Sequence, residues 1–140
     1  TDRPGGPTRS TDMADRTGGP GTRRGGQPAC QVRVMRGRGV GLGPGKASLL
    51  RAIGETRSIS AAGRRLRMSY RRAWLRGEGM NALCGSPLVV TRRGGAAGGG
   101  AEVTPLGRRV LAAYDELQAL AAGSRAFRYL ARQMRAGAAP

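Results

Sequence analysis

The side chains of this sequence that are best suited to chemistry are basic and aromatic, and they lie within one short run: Tyr70, Arg71, Arg72 and Trp74. Ser69 precedes this run, and serine is a good amino-terminal cap for an α-helix. The cationic side chains therefore fall on the first turn of a predicted helix, where they can contact phosphates and the edges of bases. This pattern predicts an interface for nucleic acid.

Two short helices joined by a tight turn are predicted to position this run. The first of the pair covers about residues 58–66, where the small side chains of Ala61 and Ala62 allow a neighbouring helix to lie close. Leu66 and Met68 supply apolar contacts around the turn. Such a helix-turn-helix places the start of its second helix in the major groove, so we expect double-stranded DNA as the partner.

The second helix of this pair is predicted over about residues 70–83. Ala73, Gly77 and Met80 recur on one face at helical spacing and are expected to point into the core. The side chains expected to project away from the core are those of Arg71, Arg72 and Leu75.

Two short strands with a glycine-rich loop between them are predicted after this helix. The strands cover Pro87–Thr91 and Ala101–Thr104, and the segment between them begins with Arg92 and Arg93. A wing of this kind can approach DNA closely because glycine has no side chain, and the two arginines are expected to position it on the phosphates. The alternative is a disordered loop that contacts nothing.

The segment before the helix-turn-helix is predicted to contain a short strand and one helix. Residues 31–35 alternate polar and apolar, as in a strand with one buried face, and residues 36–46 form a glycine-rich approach to the helix. The helix, from Lys46 to about Glu55, carries Leu49, Leu50 and Ile53 on its core face. The glycine-rich run lacks the first glycine and the final serine or threonine of a phosphate-binding loop, so we expect no nucleotide site.

A long last helix is predicted over residues 105–135. Thr104 is a capping residue, and Pro105 suits the first helical position. The apolar residues that follow recur at alternating steps of four and three, as in a coiled coil between two chains. The residues expected to carry dimerisation are Leu106, Val110, Leu117, Leu120 and Phe127. The alternative is a helix that packs on its own domain, and Gly123 disfavours a continuous helix by about 1 kcal/mol.

Charge and composition agree with a nucleic-acid partner. The chain has 25 Lys and Arg against 8 Asp and Glu, a formal net charge of +17 and a pI of about 11.9. The alternative cause is a genome rich in G and C, which raises arginine, glycine and alanine throughout. No histidine is present, and the only cysteines are Cys30 and Cys84, so we predict no catalytic triad, zinc site or disulfide. We expect a protein that is not an enzyme and needs no cofactor or metal.

The predicted organisation has four parts. Residues 1–29 form a disordered basic tail, residues 30–104 a winged helix-turn-helix domain, residues 105–135 the dimerisation helix and residues 136–140 a disordered end. The tail either adds nonspecific attraction to phosphate or has no role. No apolar run reaches the roughly 20 residues that span a bilayer, and residues 1–29 lack the apolar segment of a secretory signal, so we expect a cytoplasmic protein without membrane contact.

Residues from about 31 to 122 resemble the amino-terminal domain of the ModE-type molybdate-responsive transcriptional regulators, relatives of the LysR-type winged helix-turn-helix. The resemblance implies a mainly α fold with a small β wing, a dimer joined through its last helix, and a third helix that enters the major groove. The matching runs are residues 41–46, 58–62, 68–74 (Met-Ser-Tyr-Arg-Arg-Ala-Trp), 80–81, the glycine-rich wing and residues 106–108.

Three departures from the family pattern are present. Arg57 stands where the family usually has glycine, Arg76 and Gly77 replace an apolar pair, and Ala96 and Ala97 replace a basic position in the wing. Gly77 is expected to leave a hole in the core stripe of the third helix. The regulators of this type also carry molybdate-binding domains after the long helix, and no small-molecule ligand is predicted from the residues present here.

The sequence therefore predicts a sequence-specific transcriptional regulator that binds duplex DNA as a homodimer. For Tyr70 and Trp74, packing within the domain is an alternative to a base contact. Two other functions stay open: a nonspecific nucleic-acid-binding protein, and a protein-interaction module that no longer binds DNA. The residues expected to contact DNA are Ser60, Ser69, Tyr70, Arg71, Arg72, Trp74, Arg92 and Arg93.

Overall fold

Helices make up most of the structure. The computed structural model describes residues 27–92 and 100–137. Its strands form two antiparallel pairs, β1 (Val34–Met35) with β2 (Gly41–Leu42) and β3 (Val89–Arg92) with β4 (Gly100–Val103). The described residues confirm the predicted mainly helical class with a small β content. The helices are α1 (Pro44–Thr56), α2 (Ile59–Arg65), α3 (Tyr70–Asn81), α4 (Pro105–Ala122) and α5 (Arg125–Gly137).

Helix α1 forms the centre of the core. Its Leu49, Leu50 and Ile53 are fully buried, at the helical spacing that the sequence predicts. Met80 of α3 and Leu88, just before β3, are buried in the same cluster. Burying each side chain of this size contributes roughly 1.5–3 kcal/mol, so the cluster holds α1, α3 and the β3–β4 hairpin together.

Side-chain caps set the starts of α2 and α3. Ser58 Oγ accepts the Ala61 N–H at 3.0 Å before α2, and Ser69 Oγ accepts the Arg72 N–H at 3.1 Å before α3. Each bond satisfies one of the N–H groups that a helix start leaves without an internal partner. The two helices therefore begin where the sequence predicts.

The turn between α2 and α3 brings the two helices close together. Arg67 adopts a left-handed backbone with φ 59°, and the Met68 N–H donates to the Gly63 carbonyl at 2.9 Å. A methyl group at Gly63 would lie 3.2 Å from the Met68 carbonyl oxygen and 3.3 Å from Ala73 Cβ. The absence of a side chain at Gly63 therefore permits the close crossing of α2 and α3.

The predicted faces of α3 are confirmed. Ala73, Gly77 and Met80 are buried, whereas Arg71, Arg72 and Leu75 are exposed. Apart from its chain neighbours and the backbone of α3, no described heavy atom lies within 4 Å of the place where a Cβ on Gly77 would be. Gly77 therefore leaves open space on the core side of α3, as predicted.

Asn81, the last residue of α3, fixes the β3–β4 hairpin to this helix. Its Nδ2 donates to the Val89 carbonyl at 2.9 Å, and its Oδ1 accepts the N–H groups of Leu88 at 2.8 Å and Val89 at 3.0 Å. The side chain thus satisfies backbone groups that a neighbouring strand would otherwise satisfy. Asn81 sets where the hairpin stands relative to α3.

The β3–β4 hairpin runs directly into α4. The two strands pair in register from Val89 opposite Val103 to Arg92 opposite Gly100, within two residues of the predicted bounds. Thr104 caps α4 by accepting the Gly107 N–H at 2.9 Å. A methyl group at Gly107 would overlap the carbonyl oxygen of Leu88, so a residue without a side chain is needed at this approach.

The amino-terminal segment differs from the prediction. Only Val34 and Met35 form β1, and each is 49% exposed, so the predicted strand over residues 31–35 with a buried face is wrong. Residues 36–46, predicted as an irregular approach, contain β2 and the first turn of α1.

Side chains of α4 hold the backbone before β1. Gln118 Nε2 donates to the Cys30 carbonyl at 2.6 Å, and the Val32 N–H donates to Gln118 Oε1 at 2.9 Å. Tyr114 Oη donates to the Val32 carbonyl at 2.7 Å. Because these helical side chains already satisfy the backbone, this segment does not enter a sheet.

The predicted continuous helix over residues 105–135 is also wrong. Gly123 ends α4, and Ser124 starts α5 by accepting the Phe127 N–H on its Oγ at 3.0 Å. Glycine is a poor helix former and serine is a good cap, so the two together favour a break. Helix α5 continues to Gly137, into the end that was predicted to be disordered.

The amino-terminal half of α4 packs on its own domain. Leu106 and Val110 pack against the core cluster, which differs from their predicted place in a seam between two chains, and Tyr114 is buried. Asp115 accepts two hydrogen bonds from Arg51, at 2.9 and 3.0 Å, so α4 is also tied to α1. The hydrogen bond from Arg51 lowers the pKa of the Asp115 carboxyl.

Residues 1–26, 93–99 and 138–140 lie outside the described residues. The predicted disordered tail therefore stays a prediction for almost all of its length. The same is true of the tip of the predicted wing, which includes Arg93, Ala96 and Ala97.

Candidate nucleic-acid interface

The first turn of α3 presents its polar and charged side chains to solvent. Arg71 and Arg72 are exposed and form no salt bridge with another described residue. Tyr70 keeps 57% of its surface exposed. Ser69 is engaged as the cap of α3, where its Oγ accepts the Arg72 N–H. Two cationic side chains are thus held on a rigid helix with their charge available to an anionic partner.

Two further arginines, which are not among the predicted contacts, flank this turn. Arg64, near the end of α2, and Arg67, in the turn, are both exposed. Arg65 between them forms an ion pair with Glu55 of α1. Their positions in the sequence could have indicated Arg64 and Arg67, because both lie beside the predicted tight turn. Residues on the two sides of a tight turn lie close together in space.

A groove of about 370 Å³ lies between the start of α2, α3 and the β3–β4 hairpin. We call it the α3 groove. Tyr70 and Trp74, both predicted contacts, line this groove. Trp74 is 39% exposed and Tyr70 is 57% exposed, so neither side chain is fully packed into the core. The residues that line it are Ser58, Ile59, Ser60, Tyr70, Trp74, Thr91, Arg92 and Gly100.

The loop end of the β3–β4 hairpin carries Arg92, a predicted phosphate contact. Its guanidinium is paired with Glu102 on the opposite strand at 2.7 Å. This pair is exposed, and exposed pairs contribute only about 0–1 kcal/mol, so Arg92 can exchange its partner at little cost. The α3 groove thus brings together four of the predicted contacts, Ser60, Tyr70, Trp74 and Arg92. Arg93, another predicted contact, is outside the described residues.

A second open cleft, of about 420 Å³, lies between α1, β4 and the start of α4. Arg51, Glu55 and Glu102 in its lining each form an ion pair with another side chain. Arg57 and Arg108 also line this cleft, so its charged side chains are of both signs, whereas those on the first turn of α3 are cationic.

Exposed apolar side chains lie on both α4 and α5, and we call Leu117, Leu120, Leu130 and Met134 the exposed apolar strip. Leu120 and Leu130 are 65% and 53% exposed, and Leu117 and Met134 are also open to solvent. Phe127, in contrast, is half-buried at the junction of the two helices. Of the predicted dimerisation residues, the structure therefore leaves Leu117 and Leu120 most open.

Over residues 27–92 and 100–137, no group of three or more His, Cys, Asp or Glu side chains is arranged to hold a metal ion. Within the same residues, no helix is both long and apolar enough to cross a membrane. Cys30 and Cys84 are free thiols.

Comparison with known proteins gives relatives for part of the chain, although no family model matches it. The molybdenum-pterin-binding protein MopB of Rhodobacter capsulatus is 44% identical over 86 residues, which are 61% of this chain and 32% of MopB. The molybdenum transport protein ModE of Azotobacter vinelandii is 40% identical over 80 residues, 57% of this chain and 30% of that protein.

A third relative is the DNA-binding transcriptional dual regulator ModE of Escherichia coli strain K12. It is 39% identical over 74 residues, which are 53% of this chain and 28% of the regulator. The match thus spans about a third of the length of these relatives. Over somewhat more than half of its own length, the chain is homologous to ModE and Mop proteins.

Proposed function

We propose that this chain is the DNA-binding part of a ModE-type transcriptional regulator and that it binds double-stranded DNA. The observation that carries the proposal is the exposed Arg71 and Arg72 on the first turn of α3. In a winged helix-turn-helix this turn enters the major groove, and the α2–turn–α3 unit followed by the β3–β4 hairpin has the order of elements that such a domain requires.

The proposed contacts divide by chemistry. Arg71 and Arg72 contact base edges, because they project from the outward face of α3 and arginine can donate two hydrogen bonds to guanine. Arg64 and Arg67 contact phosphates beside the turn. Arg92 positions the β3–β4 hairpin, which is the proposed wing, on the adjoining backbone.

The names of the relatives support a regulatory role. One is named a DNA-binding transcriptional dual regulator and another a molybdenum transport protein. Genes connected with molybdate are therefore the proposed context. The chain acts here as a binding protein and not as an enzyme, in the cytoplasm where its DNA is found.

We also propose that the chain binds DNA as a homodimer. The exposed apolar strip of Leu117, Leu120, Leu130 and Met134 lies on the helices that follow the DNA-binding elements. Pairing of this strip with the same strip of a second copy buries apolar surface on both chains, which favours association. Leu106 and Val110 are left out of this interface because they pack on their own core.

The experiment that tests the proposed function is selection of genomic fragments by the full chain in vitro, followed by competition. A selected fragment is expected to compete about 10³-fold or more better than random duplex at physiological salt. Equal competition by random duplex contradicts sequence-specific binding and supports a nonspecific nucleic-acid-binding protein. Absence of any retarded complex contradicts DNA binding and supports a protein-interaction module.

A further inference from the structure

The α3 groove has a set of hydrogen-bond donors that the arginine contacts do not use. We propose that this groove seats the sugar-phosphate backbone of one DNA strand and holds it with uncharged donors, chiefly Ser60, Tyr70 and Trp74. The inference rests on the proposed function, because it requires that the chain binds duplex DNA.

The donors in the groove are complementary to a phosphodiester. The hydroxyls of Ser60, Tyr70 and Thr91 can each donate one hydrogen bond, and the Trp74 indole N–H is a donor only. None of these four groups has a hydrogen-bond partner among the described residues. The non-bridging oxygens of a phosphodiester only accept, and hydroxyl-bearing side chains are common phosphate contacts in protein–DNA complexes.

Helical geometry places this groove beside the arginines. Successive side chains on an α-helix point about 100° apart, so Tyr70 and Trp74 share one flank of α3 while Arg71 and Leu75 share the outward face. With Arg71 directed at base edges, the flank that carries Tyr70 and Trp74 meets the backbone strand that borders the major groove. The β3–β4 hairpin closes the other side of the groove with Thr91 and Arg92.

The charge balance of the groove points to uncharged contacts. Among the described lining residues only Arg92 is charged, and its contact with the backbone is already part of the proposed function. The remaining donors carry no formal charge, so contacts with them release no counterions from DNA. Their loss should therefore weaken binding without changing its dependence on salt.

The test uses the full chain and variants that remove one donor each: Ser60→Ala, Tyr70→Phe and Trp74→Phe. Two matched controls remove the same groups elsewhere, Ser86→Ala in an exposed loop and Tyr129→Phe on α5. Each of these three variants is expected to weaken binding to a duplex about threefold to tenfold, the effect of one hydrogen bond. The slope of log affinity against log salt is expected to stay that of the wild type, whereas Arg64→Ala, which removes a proposed phosphate contact, is expected to reduce it by about one.

Trp74 also reports directly on the groove, because it is the single tryptophan of the chain. Saturation with duplex is expected to reduce the quenching of its fluorescence by acrylamide, since a seated strand covers the indole. Thermal unfolding of each variant, without DNA, establishes that the fold is intact.

Three outcomes overturn the proposal. The first is wild-type affinity in folded Ser60→Ala, Tyr70→Phe and Trp74→Phe, and the second is unchanged acrylamide quenching at saturation. The third is a reduced salt slope in any of these variants, which shows that the contact acts through charge. The proposed function survives all three, because the wild-type chain still binds duplex in them, whereas a wild-type chain that binds no duplex contradicts both proposals.

Discussion

Gly77 shows how one residue weakens the helix that carries the proposed contacts. It lies inside α3, where glycine costs about 1 kcal/mol relative to alanine, and open space surrounds the place of its missing Cβ. We predict that Gly77→Ala raises the free energy of unfolding by about 1 kcal/mol, because it gains helix propensity without a clash. Urea denaturation followed by circular dichroism measures this change.

Gly107→Ala is the matched control for this substitution. Gly107 also lies in a helix, but a methyl group there would meet the Leu88 carbonyl and the Val103 side chain. The same substitution is therefore expected to destabilise the protein at Gly107. If both variants change stability in the same direction, the open space beside Gly77 does not exist as described.

The roles of single residues could be predicted where local chemistry determines them. Ser69 and Thr104 cap helices because their hydroxyls reach nearby N–H groups, and both caps are present. At Arg57, where the resembled family usually has glycine, the backbone is left-handed with φ 58°, a conformation that glycine adopts most easily. The role of Asn81 was missed, because its three partners lie seven and eight residues away in a segment that had been assigned only to a strand.

At the scale of elements, the hairpin depends on Asn81 for its position against α3. We predict that Asn81→Ala lowers the free energy of unfolding by about 1–3 kcal/mol, because it leaves part-buried backbone groups of Leu88 and Val89 without partners. Chemical denaturation gives the change in stability. Asn81→Asp keeps the oxygen that accepts both N–H groups and is expected to lose less. Equal stability of Asn81→Ala and the wild type would show that the side chain does not hold the hairpin.

The elements that the sequence predicts well are those with repeated local signals. Helix α1 has apolar residues at helical spacing, and α2 and α3 each begin after a serine cap, so their bounds agree with the structure to within two residues. The amino-terminal segment was mispredicted because Tyr114 and Gln118 of α4 bind it across more than 80 residues of sequence. A period of two along residues 31–35 carries no information about such distant partners.

The break between α4 and α5 was mispredicted for a different reason. The apolar residues keep their coiled-coil spacing past Gly123, and this spacing favours one continuous helix. The local signal for a helix end, Gly123 followed by Ser124, has less weight in the prediction. The structure follows the local signal, with Ser124 as the cap of α5. The predicted dimerisation residues are therefore divided between two helices. The first of them, Leu106 and Val110, pack against the core of their own domain.

At the scale of the whole molecule, the exposed apolar strip is proposed to join two copies of the chain. We predict that Leu120→Glu converts a dimer to a monomer, because it places a charge among apolar side chains that would otherwise be removed from water. Sedimentation equilibrium measures the molecular mass. Ala119→Glu, an adjacent exposed position on a different face of α4, is the control and should leave the dimer intact. A wild-type chain that sediments as a monomer at all concentrations would contradict the proposed interface.

The net charge of +17 agrees with a partner of opposite charge but cannot identify it. Four exposed arginines, Arg64, Arg67, Arg71 and Arg72, lie around the turn between α2 and α3 and on the first turn of α3. The α3 groove could not be predicted, because it is formed by three elements whose relative placement depends on Asn81 and on the buried cluster around α1.

The central claim is that the arginines on the first turn of α3 recognise DNA bases. The most direct test compares the affinities of the wild type, Arg71→Ala and Arg72→Ala for a selected fragment and for random duplex at one salt concentration, with Arg132→Ala on α5 as the charge-matched control. At least one α3 variant is expected to lose about 1–3 kcal/mol of binding free energy on the selected fragment and clearly less on random duplex. Equal losses on both duplexes, or losses no larger than those of Arg132→Ala, would contradict the central claim.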